Sequence, residues 1–303
     1  MWNSAATPAI TIAGGSVTGF TKGLFLNNYE GYNQDSSTGA SATVSGLSIS
    51  NCTTGIEARD SASSSLHGPI ALAFGSGVTV SGGVTGLLVS NSNVTVSSLG
   101  NAAFTGQSGN YATLVSNANG VDATGASFGG STGSAATLAT NYAIEAKISH
   151  KLDDSSLGLV RVKASNVFVV ATGNINRGVV AASAGDTVNV EAGSYTENIV
   201  VDKRITLDGA GKSSSGTIVL AADTTLPAIK VTGSGTDSSN KLTVSNVRLV
   251  GVSQTGASDG IDIEPASSSA FIAVDNVDVS NHGHAVHYRI GSISNVSVTN
   301  SNL

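Results

Sequence analysis

Residues 175–207, INRGVVAASAGDTVNVEAGSYTENIVVDKRITL, decide how the rest of the chain is read. Ile175, Val179 and Val180 fall on one face of a short helical stretch that runs into small residues at Ala181 and Ala182. Ala184-Gly185-Asp186 then predicts a turn, and Thr187-Val188-Asn189-Val190 a strand. Ala192-Gly193-Ser194 turns the chain again before Ile199-Val200-Val201 and Ile205-Thr206-Leu207, and Gly209-Ala210-Gly211 closes the stretch. Strands this short and this close, behind one apolar helix face, predict stacked coils whose first layer the helix covers. Ile175, Val179 and Val180 are expected to face that layer.

Working outward, the same economy recurs. Gly23-Leu24-Phe25-Leu26, Gly55-Ile56-Glu57-Ala58, Gly86-Leu87-Leu88-Val89 and Gly120-Val121-Asp122-Ala123 are four Gly-led strands about 30 residues apart, and Gly260-Ile261-Asp262-Ile263 repeats the form later. A second pattern runs through Leu242–Leu249 and again through Ile272–Val279. Apolar residues alternate, an Asn interrupts, and alternation resumes one place out of phase. Such a shift marks a sharp bend between two inward-facing strands, and Asn tolerates the left-handed backbone that the bend demands. A shorter copy follows at Ile293–Val298. Asn246, Asn276 and Asn295 are therefore expected to stack at one corner as a ladder of amide hydrogen bonds, with Asn51 and Asn91 extending the device toward the N-terminus.

Composition agrees with an all-β chain. Gly is 37 of 303 residues, charged residues are 11% and aromatics 5%, yet 40% of the chain is apolar. Disorder would bring more charge and fewer β-branched residues. The net charge of −6 and the scatter of the 14 basic residues argue against nucleic acid. No stretch is long and apolar enough for a membrane span. The single cysteine, Cys52, rules out an internal disulfide and a thiolate metal cluster, and its setting predicts a buried small hydrophobe. The Met1 region lacks the basic and apolar segments of a signal peptide, although low charge and near-absence of thiols resemble exported proteins.

The helix–turn–strand order of residues 175–211 resembles the opening of pectin-lyase-like right-handed parallel β-helices, where an amphipathic helix plugs the first coil. AGDTVNVEAGSYTENIVVDKRITLDGAG also resembles a recurring segment of very large repetitive secreted or surface proteins of some bacteria. The resemblance implies a fold and brings no activity with it. It also implies that residues before the opening belong to another segment. The expected organisation is a first β-solenoid segment over 1–142, a connector or cap over 143–172, and a second solenoid segment over 173–303.

The densest polar stretches are Ser258–Glu264 and Val274–Arg289. Glycosidic hydrolysis needs one acid to protonate the leaving oxygen and another to activate water. Asp262, Asp275, His284 and Arg289 are the candidate catalytic set, but strand alternation turns Asp275 and Asp278 to different faces, so convergence is not expected. Asp259, Asp262, His284 and His287 are the candidate metal set. The reading adopted assigns no catalytic residue, metal or cofactor and treats these groups as a solvated polar face.

The function expected is that of a structural or adhesive protein, secreted or at the cell surface. Copies of the chain are expected to join head to tail into filaments, or to form one period of a longer array. Ile10 and Ile12 at one end, and Val296 and Val298 at the other, sit in strand pattern and are the expected contact residues. Surface polysaccharide is the other expected partner. The rival reading is a polysaccharide-active hydrolase or lyase, or a carbohydrate-binding β-helix.

Overall fold

The structure, a computed structural model, describes residues 9–28, 40–60, 69–252, 258–267, 269–289 and 294–303. Short strands dominate it, almost all of them paired in parallel, and two helices of about two turns each accompany them. The chain divides into two compact units, Met1–Ala164 and Ser165–Leu303.

In the first unit three sheets are each built from every third strand. Ala9–Ala13, Ala40–Ser45, Ile70–Phe74 and Val94–Thr95 form one. Ser16–Thr18, Ser48–Ser50, Thr79–Ser81, Ala103–Thr105 and Ser127–Phe128 form the second, and Ser131–Thr132 closes it antiparallel. The third holds Lys22–Asn28, Thr54–Asp60, Thr85–Ser90, Ala112–Val115 and Ile148–Ser149. Residue faces repeat from tier to tier, so Val44, Ile49, Ile56, Val80, Leu87 and Val89 fill the interior. Few aromatics are needed: Phe104 stacks on Phe128 at 5.6 Å, and Tyr111 leans on Phe128 at 5.4 Å. Cys52 is buried and free.

The Gly-led strands explain their own repetition. A Cβ at Gly55 would lie 2.3 Å from Val80 Cγ1 and 2.7 Å from the Gly86 carbonyl oxygen. Only a hydrogen fits where the chain enters this sheet so close to its neighbours. Ile56 then also points inward, so alternation shifts phase at each such glycine. The pairing holds one register across the glycine, Thr54 with Thr85 and Ile56 with Leu87, so the change is one of side-chain direction.

The second unit has the same three-sheet plan. One sheet runs through Asn166–Val169, Thr187–Val190, Thr206–Asp208, Leu242–Ser245, Ser269–Asp275 and Ser294–Thr299. Another contains Gly193–Thr196, Thr217–Leu220, Val247–Val250 and Asp278–Ser280. The third contains Ile199–Val201, Ile229–Val231, Asp259–Ile263 and His284–Tyr288. Residues 143–172 are shared out between the units. Ile148–Ser149 and Val160–Arg161 pair with strands of the first, while Asn166–Val169 opens the first sheet of the second.

Helix α1 (Leu138–Glu145) is capped by Thr137, whose hydroxyl accepts from the Thr140 N–H. Near its end, Glu145 and His150 meet in the interior, with Nε2 2.5 Å from Oε1. His150 Nδ1 accepts from the Val160 N–H, so the ring proton sits on Nε2 and is donated to Glu145. Helix α2 (Ile175–Ala181) is capped by Asn174 and packs Ile175 and Val179 into the second unit. Val180, expected on the same face, is instead 61% exposed. Gly178 takes the inward position, where a Cβ would lie 2.5 Å from Val169 Cγ2. The helix lies too close to the sheet for a third branched side chain.

The left-handed backbone occurs at all three asparagines, with φ of 64° at Asn295, but the amide ladder links only two of them. Asn246 and Asn276 have φ of 58° and 54°, and Asn276 Nδ2 donates to Asn246 Oδ1 at 2.6 Å. Asn246 Nδ2 in turn donates to Asp208 Oδ1 at 2.6 Å. Asn295 does not join them. Asp275 pairs with Thr299, so the residue that follows, Asn300, meets Asn276, and Asn295 lies near the other end of its strand. Asn300, with φ of 52°, follows Thr299 at the corner and donates to Asp275. Ile293 lies outside the described residues. Asn51 and Asn91 also have positive φ, but each closes a strand of a different sheet in the first unit.

Candidate functional site

Asp259, Asp262, His284, His287 and Arg289 meet on the outer face of the second unit. The phase shift brings them there. A Cβ at Gly260 would lie 2.4 Å from Val279 Cγ1, so Gly260 points inward, and Ile261 and Ile263 follow it into the core. Asp259 and Asp262 are left outside, three residues apart on one face. The next strand repeats this, pairing Asp259 with His284 and Asp262 with His287. Two carboxylates therefore stand beneath two imidazoles.

The contacts are short. His284 donates from Nδ1 to Asp259 Oδ1 at 2.8 Å, and His287 from Nδ1 to Asp259 Oδ2 at 2.9 Å. Arg289 donates from Nε to Asp262 Oδ2 at 2.6 Å and from a terminal nitrogen to Asp259 Oδ2 at 3.1 Å. Asp259 and Asp262 are 1% and 2% exposed, whereas the His284 side chain is 63% exposed. Lys230 lies in register with Asp262 and pairs with Glu264 at 2.8 Å.

Burial works against ionising Asp259, but hydrogen bonds from His287 and His284, with their charge, outweigh it and hold the carboxyl below its usual range. Asp262 is tied to a guanidinium whose own pKa that carboxylate raises. Its lowered pKa makes Asp259 a poor proton donor at neutral pH, and donation is the first requirement of glycosidic hydrolysis. Asp275 is not part of the cluster. It lies on another sheet and accepts from Thr299 and Asn300, which lower its pKa. Asp278 lies on the sheet of Val247–Val250, 3.6 Å from Arg248. The set Asp262, Asp275, His284 and Arg289 is therefore divided between two sheets.

His282 has a different setting. It is buried, neither ring nitrogen has a hydrogen-bond partner, and burial lowers its pKa despite Asp259. It lines an opening of about 320 Å³ with Val279, Ala285 and Leu303.

The first unit carries a polar patch that no sequence motif flags. Glu57, 4% exposed, pairs with Lys22 at 2.8 Å, and Lys22 also lies 3.9 Å above the Phe25 ring. Arg59 stands 3.9 Å from Glu57. A positional signal for it exists: Phe25 and Glu57 occupy the same place after their glycines as Asp262 does after Gly260.

The expected contact residues lie on edge strands. Ala9–Ala13 pairs with Ala40–Ser45, and Ser294–Thr299 with Ser269–Asp275, each on one side only among the described residues. Ile10 is exposed, whereas Ile12, Val296 and Val298 are half-buried. No described helix is long and apolar enough to cross a membrane. No family model, curated protein or solved structure matches this chain.

Proposed function

We propose that each unit is a segment of a right-handed parallel β-helix, and that the protein is a structural or adhesive component of a cell surface or extracellular matrix. Three parallel sheets built from every third strand, with residues repeating in register, support the β-helix. The observation that carries the function is the open edge of the second unit's longest sheet. Val296 and Val298 stand in register with the core residues Ile272 and Val274, and no described strand covers their far side. Such an edge templates the addition of another strand. The N-terminal edge, with Ile10 and Ile12, supplies a strand of the same parallel kind. Addition of one copy's last tier to another's first is head to tail and continues as a filament. Low charge and a single thiol support an extracellular setting.

Light scattering and electron microscopy over a concentration series test this. End-to-end assemblies should grow with concentration and disappear in Val298→Lys and Ile10→Lys. A protein that stays monomeric throughout, or assembles equally well in both variants, refutes the proposal. A polysaccharide ligand could use the exposed His284, His287 and Arg289. Hydrolysis finds less support, because both nearby carboxylates are engaged by cationic or hydrogen-bonding partners.

A further inference from the structure

We propose that Asp259, His284 and His287 bind one divalent first-row transition cation of the zinc type on the outer face of the second unit. One ligand atom from each residue lies within 4.8 Å of the other two. His284 and His287 already aim Nδ1 at separate oxygens of the same carboxylate, at 2.8 and 2.9 Å. In a tetrahedral site with metal–ligand bonds of about 2.0–2.2 Å, neighbouring donors stand a little over 3 Å apart. A small opening of the existing contacts therefore admits an ion. The backbone supplies the rigidity, because all three residues lie on paired strands.

A second observation points the same way. Asp262, in register with His287, has one carboxylate oxygen, Oδ1, that is buried and has no hydrogen-bond partner. A buried anionic oxygen without compensation is costly, and a neighbouring dication would supply the missing positive potential. Arg289 does not fill that role, since it engages Oδ2 of both aspartates. It leaves Asp259 Oδ1 to His284 and fixes the carboxylate's orientation, as outer-shell partners do in metal sites. Two carboxylates and one guanidinium leave one net negative charge among these three groups, which a dication would offset.

The proton count closes without a further reactant. Each imidazole gives its Nδ1 lone pair to the metal and keeps one ring proton on Nε2, and any further proton displaced from Nδ1 passes to solvent. Asp259, already ionised, contributes an oxygen lone pair. His284 is exposed, so solvent reaches the site. Calcium does not suit the site, because it takes six to eight oxygen donors and two of these three donors are nitrogen.

The test uses the full chain after chelator treatment. Cobalt(II) titration followed by visible absorption, with equilibrium dialysis of zinc, should show one site per chain that calcium does not displace. His284→Ala and His287→Ala should each weaken zinc binding by about tenfold or more. In the unaltered protein, cobalt should shift the ring signals of His284 and His287 and leave that of His150 in place. Absence of uptake, undiminished uptake by the two variants, displacement by calcium, or cobalt shifts at other residues would each overturn the proposal.

Discussion

The outer faces of the two Gly-led sheets are built alike and loaded differently. In the first unit, Lys22, Phe25, Glu57 and Arg59 surround a single buried carboxylate with two cations and an aromatic ring. In the second, the corresponding face holds two buried carboxylates that share one guanidinium and two imidazoles. One patch is charge-sufficient; the other is short of positive charge. The backbone offers the same pair of outward positions at each tier, and the side chains placed there decide whether the face is inert or can take up a cation.

The largest expected effect breaks what the two faces have in common. Gly55→Ala and Gly260→Ala would each place a methyl group within 3 Å of a valine side chain and of a backbone oxygen. Each should cost about 3 kcal/mol, near the upper end of overpacking penalties, by urea denaturation. A loss below about 1 kcal/mol in either would show that the phase shift does not depend on glycine.

Removing the cation should separate the faces. Lys22→Ala leaves Arg59 near Glu57, whereas Arg289→Ala leaves Asp259 and Asp262 without a guanidinium. Hydrogen exchange in Asp259–Ile263 should rise more in the second variant than exchange in Thr54–Asp60 rises in the first. Equal changes would erase the contrast.

His282 gives a smaller effect with a definite pH sign. Burial lowers its folded pKa below the ordinary 6.5, so the unfolded chain binds the proton more readily. Its contribution is complete above pH 6.5 and falls away as the pH drops from there toward the folded value. His282→Leu should flatten that decline and, by removing two unpartnered nitrogens, add about 1 kcal/mol at mildly acidic pH. A decline that persists unchanged in the variant would assign it to other groups.

The smallest contrast concerns asparagines. Asn276→Ala loses the bond to Asn246 and strains a left-handed corner, at about 1 kcal/mol. Asn295→Ala puts alanine in the same left-handed backbone but loses only an exposed bond to its neighbour Ser294, so it should cost less. Comparable losses at Asn276 and Asn295 would mean that the corner bond is idle.

Patterns confined to a few residues are legible in the amino-acid order alone. Alternation that slips at Asn246 and Asn276, glycine opening one strand per tier, and an apolar helix face at Ile175 and Val179 all follow from local sterics and side-chain direction. Val180 departs from that face because helix spacing does not reveal how closely the sheet approaches, and that distance selects Gly178. Asn295 departs from the ladder because its motif copies the earlier ones while the pairing of Asp275 with Thr299 puts Asn300 at the corner. Asp259, Asp262, His284 and His287 are legible by residue type as a candidate metal set, but their pairing is not, since nothing within either strand states which residues face each other across it.

The sequence by itself therefore determined the strand-rich character, the sites of phase change and which residues turn inward within each strand. Side-chain alternation and backbone sterics act over a few residues, and the amino-acid order states them directly. Only the tertiary structure decided which tiers align. It set Asn300 at the corner after Asn276, separated Asp275 from Asp262, and joined Asp259 to His284 and His287. Those outcomes depend on the register between strands about 25 residues apart in the chain. Register is settled by loop lengths and by the fit of stacked side chains, neither of which is written in any one strand.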